Sequence, residues 1–524
     1  MAISRGRSVT LALGLLGLTA LTPPGASGQS NADLKAYRMA VVNPSGGKQT
    51  RMNEMFTGKV RVKGPDAASN RAILQEFANS RVFPVTYETY YSQAEAGELK
   101  PRTGDQNLDA LISDLRSYVL VPTPDRDLAK MTPDQGEFVV EYGVALDQSF
   151  AAVFAKNPPA VIRVNAARLL AEAAKSGAPA LGKTVMAMLT NTYFKDRPAS
   201  DKSAKPVETP PEVLYYALRA AENLLAAHDP TVLVGQFSTR HSLPDAELVP
   251  LVKVLEEMVV KGPPVANKAA AATVDNFGRP IALGAPTADA TEEEPKKEAD
   301  PKADPKAGAP KAEVAKALTP EQAAVVRYYR RAAIRALAKV RFDTVGSKGA
   351  PGGEARPAFT LAKVAVSDAT LSLPASPADA AEAVIGLAGM APVTAVTNLN
   401  LDAWAAAMAA GMFAYSQPRM AAAAADNRTV PWKVTSGRLN ASFAALKKGT
   451  VSSPRLRPVA RPLADLCDVV TADILTPLEK EAQVGADRPS VERLGEWLRN
   501  NPPKDPSRSF YSDSPQYTLN YRTN

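Results

Sequence analysis

Helix-start signals recur along most of this 524-residue chain and constrain its fold more than any other feature. Thr132-Pro-Asp-Gln135, Thr209-Pro-Pro-Glu212 and Thr319-Pro-Glu-Gln322 share one design. In each of them a threonine can cap a helix, a proline suits the first helical position, and Gln or Glu occupies the third. Ser376-Pro-Ala-Asp379 follows the same plan with an aspartate. Because an apolar run of helical periodicity follows each start, the sequence predicts an all-α fold.

The periodicity of the apolar residues also sets the bounds of the expected helices, and strand signals are nearly absent between them. The predicted helices are 133–156, 160–175, 180–193, 210–227, 245–260, 320–340, 357–367, 377–389, 401–415, 435–448, 462–482 and 489–500.

Residues 29–130 have a different pattern and form a predicted mixed N-terminal region. Residues 56–63 alternate like a short strand and residues 81–91 favour β-structure, whereas 72–79 and 108–118 have helical spacing. A small α+β cap and an irregular helical start both fit this pattern.

The N-terminus has the order of a secretory signal peptide. Arg5 and Arg7 precede an apolar run from Val9 to Leu21, and a segment of Pro, Gly and Ala follows. The small residues Ala26 and Gly28 predict cleavage near Gly28-Gln29, so residues 1–28 are expected to be removed. The apolar run is shorter than the ~20 residues that span a bilayer, which disfavours an uncleaved anchor. We expect an exported protein, periplasmic or extracellular, with no transmembrane segment after cleavage.

Composition is typical of a globular chain, with 45% hydrophobic and 22% charged residues and a net charge of +8. A charge of this size favours anionic partners only weakly, and export argues against nucleic acid. Cys467 is the only cysteine, so an intrachain disulfide cannot form. It stands on the apolar face of a predicted helix, which indicates a buried and unreactive thiol.

A low-complexity segment at residues 284–318 divides the predicted helices into two halves, 131–283 and 319–500. It has almost no apolar side chains and carries both signs of charge, so it cannot offset the entropy of ordering and is expected to be disordered. It could be a spacer between two helical units or a loop within one continuous array. Residues 501–524 form a polar tail rich in Pro, Ser and Tyr, which we interpret as a frayed end.

Three of the predicted helices share an alanine-centred motif. Residues 163–170 (Arg-Val-Asn-Ala-Ala-Arg-Leu-Leu), 218–225 (Leu-Arg-Ala-Ala-Glu-Asn-Leu-Leu) and 330–337 (Arg-Arg-Ala-Ala-Ile-Arg-Ala-Leu) each place Leu one turn after Ala-Ala. The motif resembles the inner helices of HEAT and armadillo repeats, in which paired alanines let neighbouring helices approach closely.

The resemblance covers mainly residues 133–342 and implies a HEAT-like α-α array with packing roles for the matched residues and no active site. The first two copies lie 54 residues apart, which departs from the fixed repeat length of that family. An irregular helical bundle is the alternative.

The sequence contains few signatures of catalysis. It has no His-Glu-x-x-His, Cys-x-x-Cys, EF-hand or Gly-x-Ser-x-Gly pattern. His228 and His241, the only histidines, each stand beside a predicted helix end, where the helix dipole accounts for them. Lys48 ends a segment that resembles a phosphate loop, but Gln49 stands where Ser or Thr should bind magnesium, so a turn is expected. We predict no cofactor and no metal site. Enzyme activity stays open, with a non-catalytic role favoured.

A cationic ridge on the helix that follows the low-complexity segment is the main candidate for binding. Residues spaced four apart lie on one side of a helix, and like charges at this spacing destabilise it by some tenths of a kcal/mol each. The ridge therefore either faces acidic residues of a neighbouring helix or binds an anionic partner. The basic segment Arg455 to Arg461 could extend it. The candidate anion-binding or partner-binding residues are Arg327, Arg330, Arg331, Arg335 and Lys339.

Together these features predict an exported, non-catalytic helical scaffold that binds protein or cell-envelope partners. The alternative is a hydrolase of an envelope polymer that uses carboxylates in a cleft between helices. That alternative requires a deep polar pocket lined by at least two acids.

Overall fold

The chain was analysed as a computed structural model, and the predicted all-α fold is confirmed. Helices dominate the described part of the chain, in which the strands form only short two-stranded hairpins. The predicted signal peptide (1–28), the predicted insert (284–318) and both histidines lie outside the described residues. The structure describes residues 34–93, 99–101, 107–119, 132–191, 211–227, 243–262, 272–274, 280–282, 320–347, 349, 352–390, 399–424, 432–452, 454–479, 490–502, 509–511 and 516–519.

The N-terminal region is helical with one small hairpin. The helix predicted at 72–79 is confirmed as part of α2, and the one predicted at 108–118 is confirmed as α3, which ends at Arg116. Its elements are a 3-10 turn at Lys35–Tyr37, α1 (Gly46–Phe56), α2 (Ala67–Val82), 3-10 turns at Phe83–Thr86 and Glu88–Tyr90, the hairpin of β1 (Tyr91–Gln93) and β2 (Leu99–Pro101), and α3 (Leu108–Arg116).

The strand predicted at residues 56–63 is wrong. Phe56 is the last residue of α1, and turns follow it. The Asn70 side chain donates hydrogen bonds to the carbonyl oxygens of Arg61 and Val62, at 3.1 and 3.2 Å. Lys63 donates its backbone N–H to the Glu137 carboxylate. Side chains thus satisfy the backbone groups that a neighbouring strand would otherwise bind.

The central helices alternate between two layers that run along the molecule. We call them the even layer and the odd layer, after the helix numbers. The even layer contains α2, α4 (Pro133–Ala155), α6 (Leu181–Leu189), α8 (Asp245–Lys261), α10 (Pro357–Ala365) and α12 (Leu401–Ala424). The odd layer contains α3, α5 (Ala160–Ala173), α7 (Pro211–Ala227), α9 (Pro320–Leu337), α11 (Pro377–Gly389) and α13 (Trp432–Ser452).

Each helix packs on the next member of its own layer, and the pairs α2–α3, α4–α5, α6–α7, α8–α9 and α10–α11 pack across the layers. The three helices with the alanine-centred motif are α5, α7 and α9, which are consecutive in the odd layer. Ala166 and Ala167 of α5 are buried, as are the equivalent alanines of the other two helices. All six alanines of the motif therefore belong to the buried core.

Two of the predicted helix caps are confirmed in atomic detail. Thr132 and Gln135 form a reciprocal capping box at the start of α4, and Ser376 and Asp379 form one at the start of α11. Thr209 and Thr319 lie outside the described residues. Helix α9 begins at the predicted residue, and α7 begins one residue after its predicted start.

The low-complexity segment at residues 284–318 lies in the connection between two helices that pack directly against each other. Helix α8 ends at Lys261, α9 begins at Pro320, and α9 also packs on α7. The two halves of the chain therefore belong to one continuous array, and the segment between them is a connection within a helix pair. The short hairpins β3–β4 (Ala272–Val274, Pro280–Ala282) and β5–β6 (Val345–Gly346, Glu354–Ala355) lie in the connections on either side of α9.

Beyond the array, the region predicted as one helix at 462–482 contains a π-helical turn. The elements are a 3-10 turn at Pro454–Val459, α14 (Ala460–Val469), the π turn at Val470–Leu475, α15 (Thr476–Glu479) and α16 (Glu492–Asn500). Cys467 is buried in α14, and burial raises the pKa of its thiol to about 12.

The interpretation of residues 501–524 as a frayed end is wrong for the part that the structure describes. Phe510 and Tyr511 are fully buried, and Leu519 is nearly so. Their apolar surface packs on the even layer, which compensates for the cost of ordering a chain end. We call the described residues 509–511 and 516–519 the C-terminal strap.

Helix α4 is the one helix among the described residues that is long and apolar enough to cross a membrane. More than half of its apolar window is buried inside the array, where α4 packs against α2, α5 and α6. Its apolar character is accounted for by this packing.

Candidate functional site

The predicted cationic ridge lies on α9 and just beyond its end, in the odd layer. Its members have different surroundings. Arg330 is fully buried, whereas the side chains of Arg331 and Arg335 are 24% and 41% exposed. Lys339 follows the last turn of α9 and is partly buried. Arg330 therefore belongs to the core and cannot contact a partner, and the other residues remain available to one.

The buried guanidinium of Arg330 joins α9 to the start of α11. It donates to an oxygen of Asp379 at 2.9 Å and to the carbonyl oxygens of Leu373 and Pro374 at 2.8 and 3.0 Å. Asp379 is itself fully buried. A buried charge pair is tolerated when further hydrogen bonds accompany it. The two carbonyls supply these for the Nη atoms of Arg330, whereas Arg330 Nε is buried without a hydrogen-bond partner among the described residues.

Asp379 also binds Arg331 and caps α11. Arg331 Nε donates to its second carboxylate oxygen at 2.9 Å, and Arg331 Nη2 donates to Ser376 Oγ at 3.1 Å. Burial alone would raise the pKa of Asp379, but the charges of Arg331 and Arg330 outweigh it, so its pKa lies below the ordinary value. Asp379 is therefore charged at neutral pH.

A second carboxylate, Glu382, lies one turn further along α11 and joins three odd-layer helices. It accepts a hydrogen bond from Arg335 of α9 at 2.7 Å and two from Arg438 of α13 at 2.8 and 2.9 Å. Burial acts to raise the pKa of Glu382, and the two guanidiniums more than reverse this effect. The fork-to-fork geometry with Arg438 is the strong, directional form of such a pair.

The cluster carries more positive than negative charge. Four guanidiniums, those of Arg330, Arg331, Arg335 and Arg438, face the two carboxylates of Asp379 and Glu382. The surplus lies at the surface, because Arg331, Arg335 and Arg438 are partly exposed while both acids are buried. We call Arg331, Arg335, Lys339 and Arg438 the cationic patch.

Lys339 adds a charge to which no described carboxylate is bound. Burial lowers the pKa of Lys339 below its ordinary value. The charge of Glu222 offsets part of this effect, and the charges of Arg341 and Arg438 add to it. A partly buried cation among other cations is stabilised by a nearby anion.

Tyrosine rings border the patch on its α7 side. Tyr215 of α7 stacks on Tyr328 of α9, with ring centroids 5.7 Å apart, and Tyr216 packs edge-on against Tyr215. These rings are only partly buried. Beside them, Arg327 Nε is buried without a hydrogen-bond partner in the part of the chain that the structure describes.

Sequence reasoning found the cations but missed most of their partners. Asp379 was identified only as a helix cap, and Glu382 and Arg438 were not identified. The local signal was limited to Ser376-Pro-Ala-Asp379, because pairing between α9, α11 and α13 depends on the tertiary fold. The basic segment Arg455 to Arg461, which could extend the ridge, follows α13. Arg457 and Arg461 are exposed, and the Arg455 side chain lies outside the described residues.

A pair of acids lies on the even layer. Asp147 of α4 accepts hydrogen bonds from the hydroxyl and backbone N–H of Thr184 in α6, at 2.7 and 3.3 Å. Burial raises its pKa despite these bonds. Burial also raises the pKa of Glu247 in α8, Lys183 acts against this, and the charge of Asp147 raises it further. Among the described residues no three His, Cys, Asp or Glu side chains converge as metal ligands.

Comparison with known proteins gives no match to this chain among protein families, curated proteins or solved structures. The site is therefore interpreted from its geometry and charge.

Proposed function

We propose that this chain is an exported, non-catalytic scaffold whose HEAT-like helical array binds an anionic protein or cell-envelope component at the cationic patch. The observation that carries the proposal is the surplus of guanidinium and ammonium groups over carboxylates on the exposed side of α9, α11 and α13. Export rests on the signal peptide predicted at residues 1–28.

The architecture supports binding along a surface. Stacked helix pairs expose an extended face, and repeat arrays of this kind use that face for partners. In this chain α9 and α13 both pack on α11 in the odd layer, so their cations can contact one extended anionic ligand. The half-buried tyrosines Tyr215 and Tyr328 add an apolar border, and such rings are common at protein interfaces.

Some residues of the cationic patch also stabilise the fold, and others do not. Arg331 and Arg335 also hold the buried acids of α11, so reversing their charges would disrupt the fold as well as binding. Lys339 is bound to no described carboxylate, and neutralising it removes a patch charge without stranding a buried acid. Lys339→Gln is therefore the informative variant.

The test measures binding of the mature chain to poly-L-glutamate and to vesicles containing phosphatidylglycerol. A lysine near an anionic surface contributes about 1 kcal/mol, so Lys339→Gln should weaken binding roughly fivefold and reduce its salt dependence. Lys261→Gln is the matched control, because Lys261 is a highly exposed lysine of the even layer. Equal binding by wild type and Lys339→Gln, or an equal loss in Lys261→Gln, would refute the role of the patch.

Hydrolysis of an envelope polymer is the second candidate function, and Asp147 with Glu247 is the observation that favours it. Burial raises the pKa of both groups, which is a property of a general acid in glycoside cleavage. Release of reducing ends from purified peptidoglycan, lost in Asp147→Asn and in Glu247→Gln, would support this function. If the wild-type chain releases no reducing ends, the hydrolase function is refuted.

A further inference from the structure

Arg335 keeps part of its guanidinium free at the seam between α7 and α9. Its Nε donates to the buried carboxylate of Glu382 at 2.7 Å. In the part of the chain that the structure describes, neither of its Nη atoms is buried or hydrogen-bonded. The two N–H groups at the end of an arginine match the two oxygens of a carboxylate. Arg335 can therefore bind one more anionic group besides Glu382.

Two stacked tyrosine rings lie next to this guanidinium. Tyr328 is seven residues before Arg335 and therefore on the same side of α9. Its ring stacks on that of Tyr215 in α7, so the pair bridges the seam between the two helices. Burial raises the pKa of Tyr328, and the charge of Arg335 is close enough to act against this rise. Both rings are only partly buried, so aromatic surface and unpaired N–H donors occur side by side.

Further cations continue the site beyond Arg335. Lys339 follows it by four residues, about one helical turn, and Arg438 of α13 binds the same carboxylate, Glu382, as Arg335 does. The nearby acid of α7, Glu222, is paired with Arg219 on its own helix. Cations therefore remain in excess along the seam, at a spacing that suits a ligand with repeated anionic groups.

We propose that the anionic ligand of the cationic patch is a polysaccharide built from uronic acid units. The carboxylate of one unit accepts hydrogen bonds from the Nη atoms of Arg335, and its sugar ring packs against Tyr328 and Tyr215. The carboxylate of a following unit lies near Lys339. This inference rests on the proposed function and specifies the class of ligand that the patch binds.

A sugar ring accounts for the tyrosines, which charge alone does not. Sugar rings have C–H groups on their faces that pack on aromatic rings, and their hydroxyls can bond to the phenol groups of tyrosine. An acidic peptide would pair with the same cations, but its carboxylates give no reason for a stacked pair of tyrosines beside them. The combination of Arg335 with Tyr215 and Tyr328 therefore favours a uronate over a carboxylate on a peptide.

An anionic bilayer fits the patch less well than a single polymer chain. The side chains of Arg331, Arg335 and Arg438 are only 24%, 41% and 38% exposed, because each is bound to a buried acid of α11. Recessed cations at a seam between helices can be reached by a narrow chain, whereas the headgroups of a flat bilayer cannot approach them closely. Charge attraction to a bilayer is greatest for cations near its surface.

Binding of the mature chain to polygalacturonate and to poly-L-glutamate of equal chain length tests the inference. Each polymer has one carboxylate per unit, and only polygalacturonate has sugar rings. The wild type should bind polygalacturonate more tightly, and this preference should persist at high ionic strength, because salt screens charges and not ring packing. Tyr328→Leu should weaken binding of polygalacturonate about fivefold and change that of poly-L-glutamate by less than about twofold.

Two further variants are controls. Tyr328→Phe keeps the aromatic ring and should retain most of the affinity for polygalacturonate. Tyr90→Leu removes another partly buried ring, in the N-terminal region, and should bind both polymers as the wild type does. Lys339→Gln should weaken both polymers by a similar factor, because it removes a charge and no ring. Retained binding of poly-L-glutamate by Tyr328→Leu would also show that this variant is folded.

The outcomes separate this inference from the proposed function. If the wild type prefers poly-L-glutamate, or if Tyr328→Leu affects both polymers equally, the polysaccharide is refuted and the patch is a site for acidic peptides. Binding to vesicles of phosphatidylglycerol without binding to polygalacturonate would refute it in favour of a lipid surface. If the wild type binds none of the three ligands, the proposed function is refuted together with this inference.

Discussion

Replacement of Arg330 by Met should destabilise the array strongly, because Arg330 is the one member of the predicted ridge that is fully buried. Truncating one partner of a buried ion pair costs about 3–5 kcal/mol. Two opposing effects determine the change in the free energy of unfolding. Asp379 keeps its bond to Arg331, which reduces the destabilisation, but the carbonyls of Leu373 and Pro374 lose their hydrogen-bond donor, which increases it. We therefore expect a decrease of about 3 kcal/mol in the free energy of unfolding.

Urea denaturation followed by far-UV circular dichroism and by tryptophan fluorescence measures this change. Trp404 of α12 is almost fully buried and is an intrinsic probe of the array near α11. Arg331→Met is the control, because it leaves the fully buried Asp379 bound to Arg330 and removes a guanidinium that is itself 24% exposed, so its cost should be the smaller of the two. If Arg330→Met lost no more stability than Arg331→Met, the assignment of Arg330 to a buried structural pair would be refuted.

Three further predictions concern the ends, the connections and the packing of the array. The chain recovered from an exporting cell should begin at Gln29, as N-terminal sequencing would show, and recovery of an intact Met1 would contradict the predicted cleavage. Deletion of residues 284–318 should change the unfolding free energy by less than about 1 kcal/mol, since α8 and α9 pack directly; a molten chain by circular dichroism would contradict the continuous array. Gly143→Leu should cost about 1–3 kcal/mol in urea unfolding, because a Cβ at Gly143 would lie 2.2 Å from that of Ala178. Wild-type stability there would contradict the close contact of α4 with the start of α6.

The sequence predicted helices well because the signals that start them are local. Thr132 with Gln135 and Ser376 with Asp379 form the capping boxes that their spacing indicated. The alanine-centred motif identified three helices that are equivalent in the odd layer, although the sequence did not show that they are neighbours. The HEAT-like family resemblance itself stays a prediction.

The predictions that were wrong concern segments whose structure depends on contacts with distant parts of the chain. The alternation at 56–63 is typical of a strand, but Asn70 and Glu137 bind the backbone that a strand would expose. The polar composition of the tail gave no sign that Phe510 and Tyr511 are buried. They contact Phe359 of α10 and Leu399, just before α12, which are far away in sequence.

The candidate site was predicted in part. The spacing of Arg331 and Arg335 showed that they share one side of a helix, and their acidic partners on α11 could not be identified before the helix order in the odd layer was known. The fold also separated Arg330 from this set, because the side of α9 that faces the core follows from packing and not from charge.

The low-complexity segment lies between α8 and α9, and this connection is a suitable site for inserting additional sequence. Both anchor points are fixed by direct packing of the two helices, and the hairpin β3–β4 that follows α8 also contacts α9. Each doubling in the length of a flexible loop costs only about 0.6 kcal/mol. A reporter domain or an affinity handle could therefore be inserted here and displayed from the array, with the helices on both sides left in register.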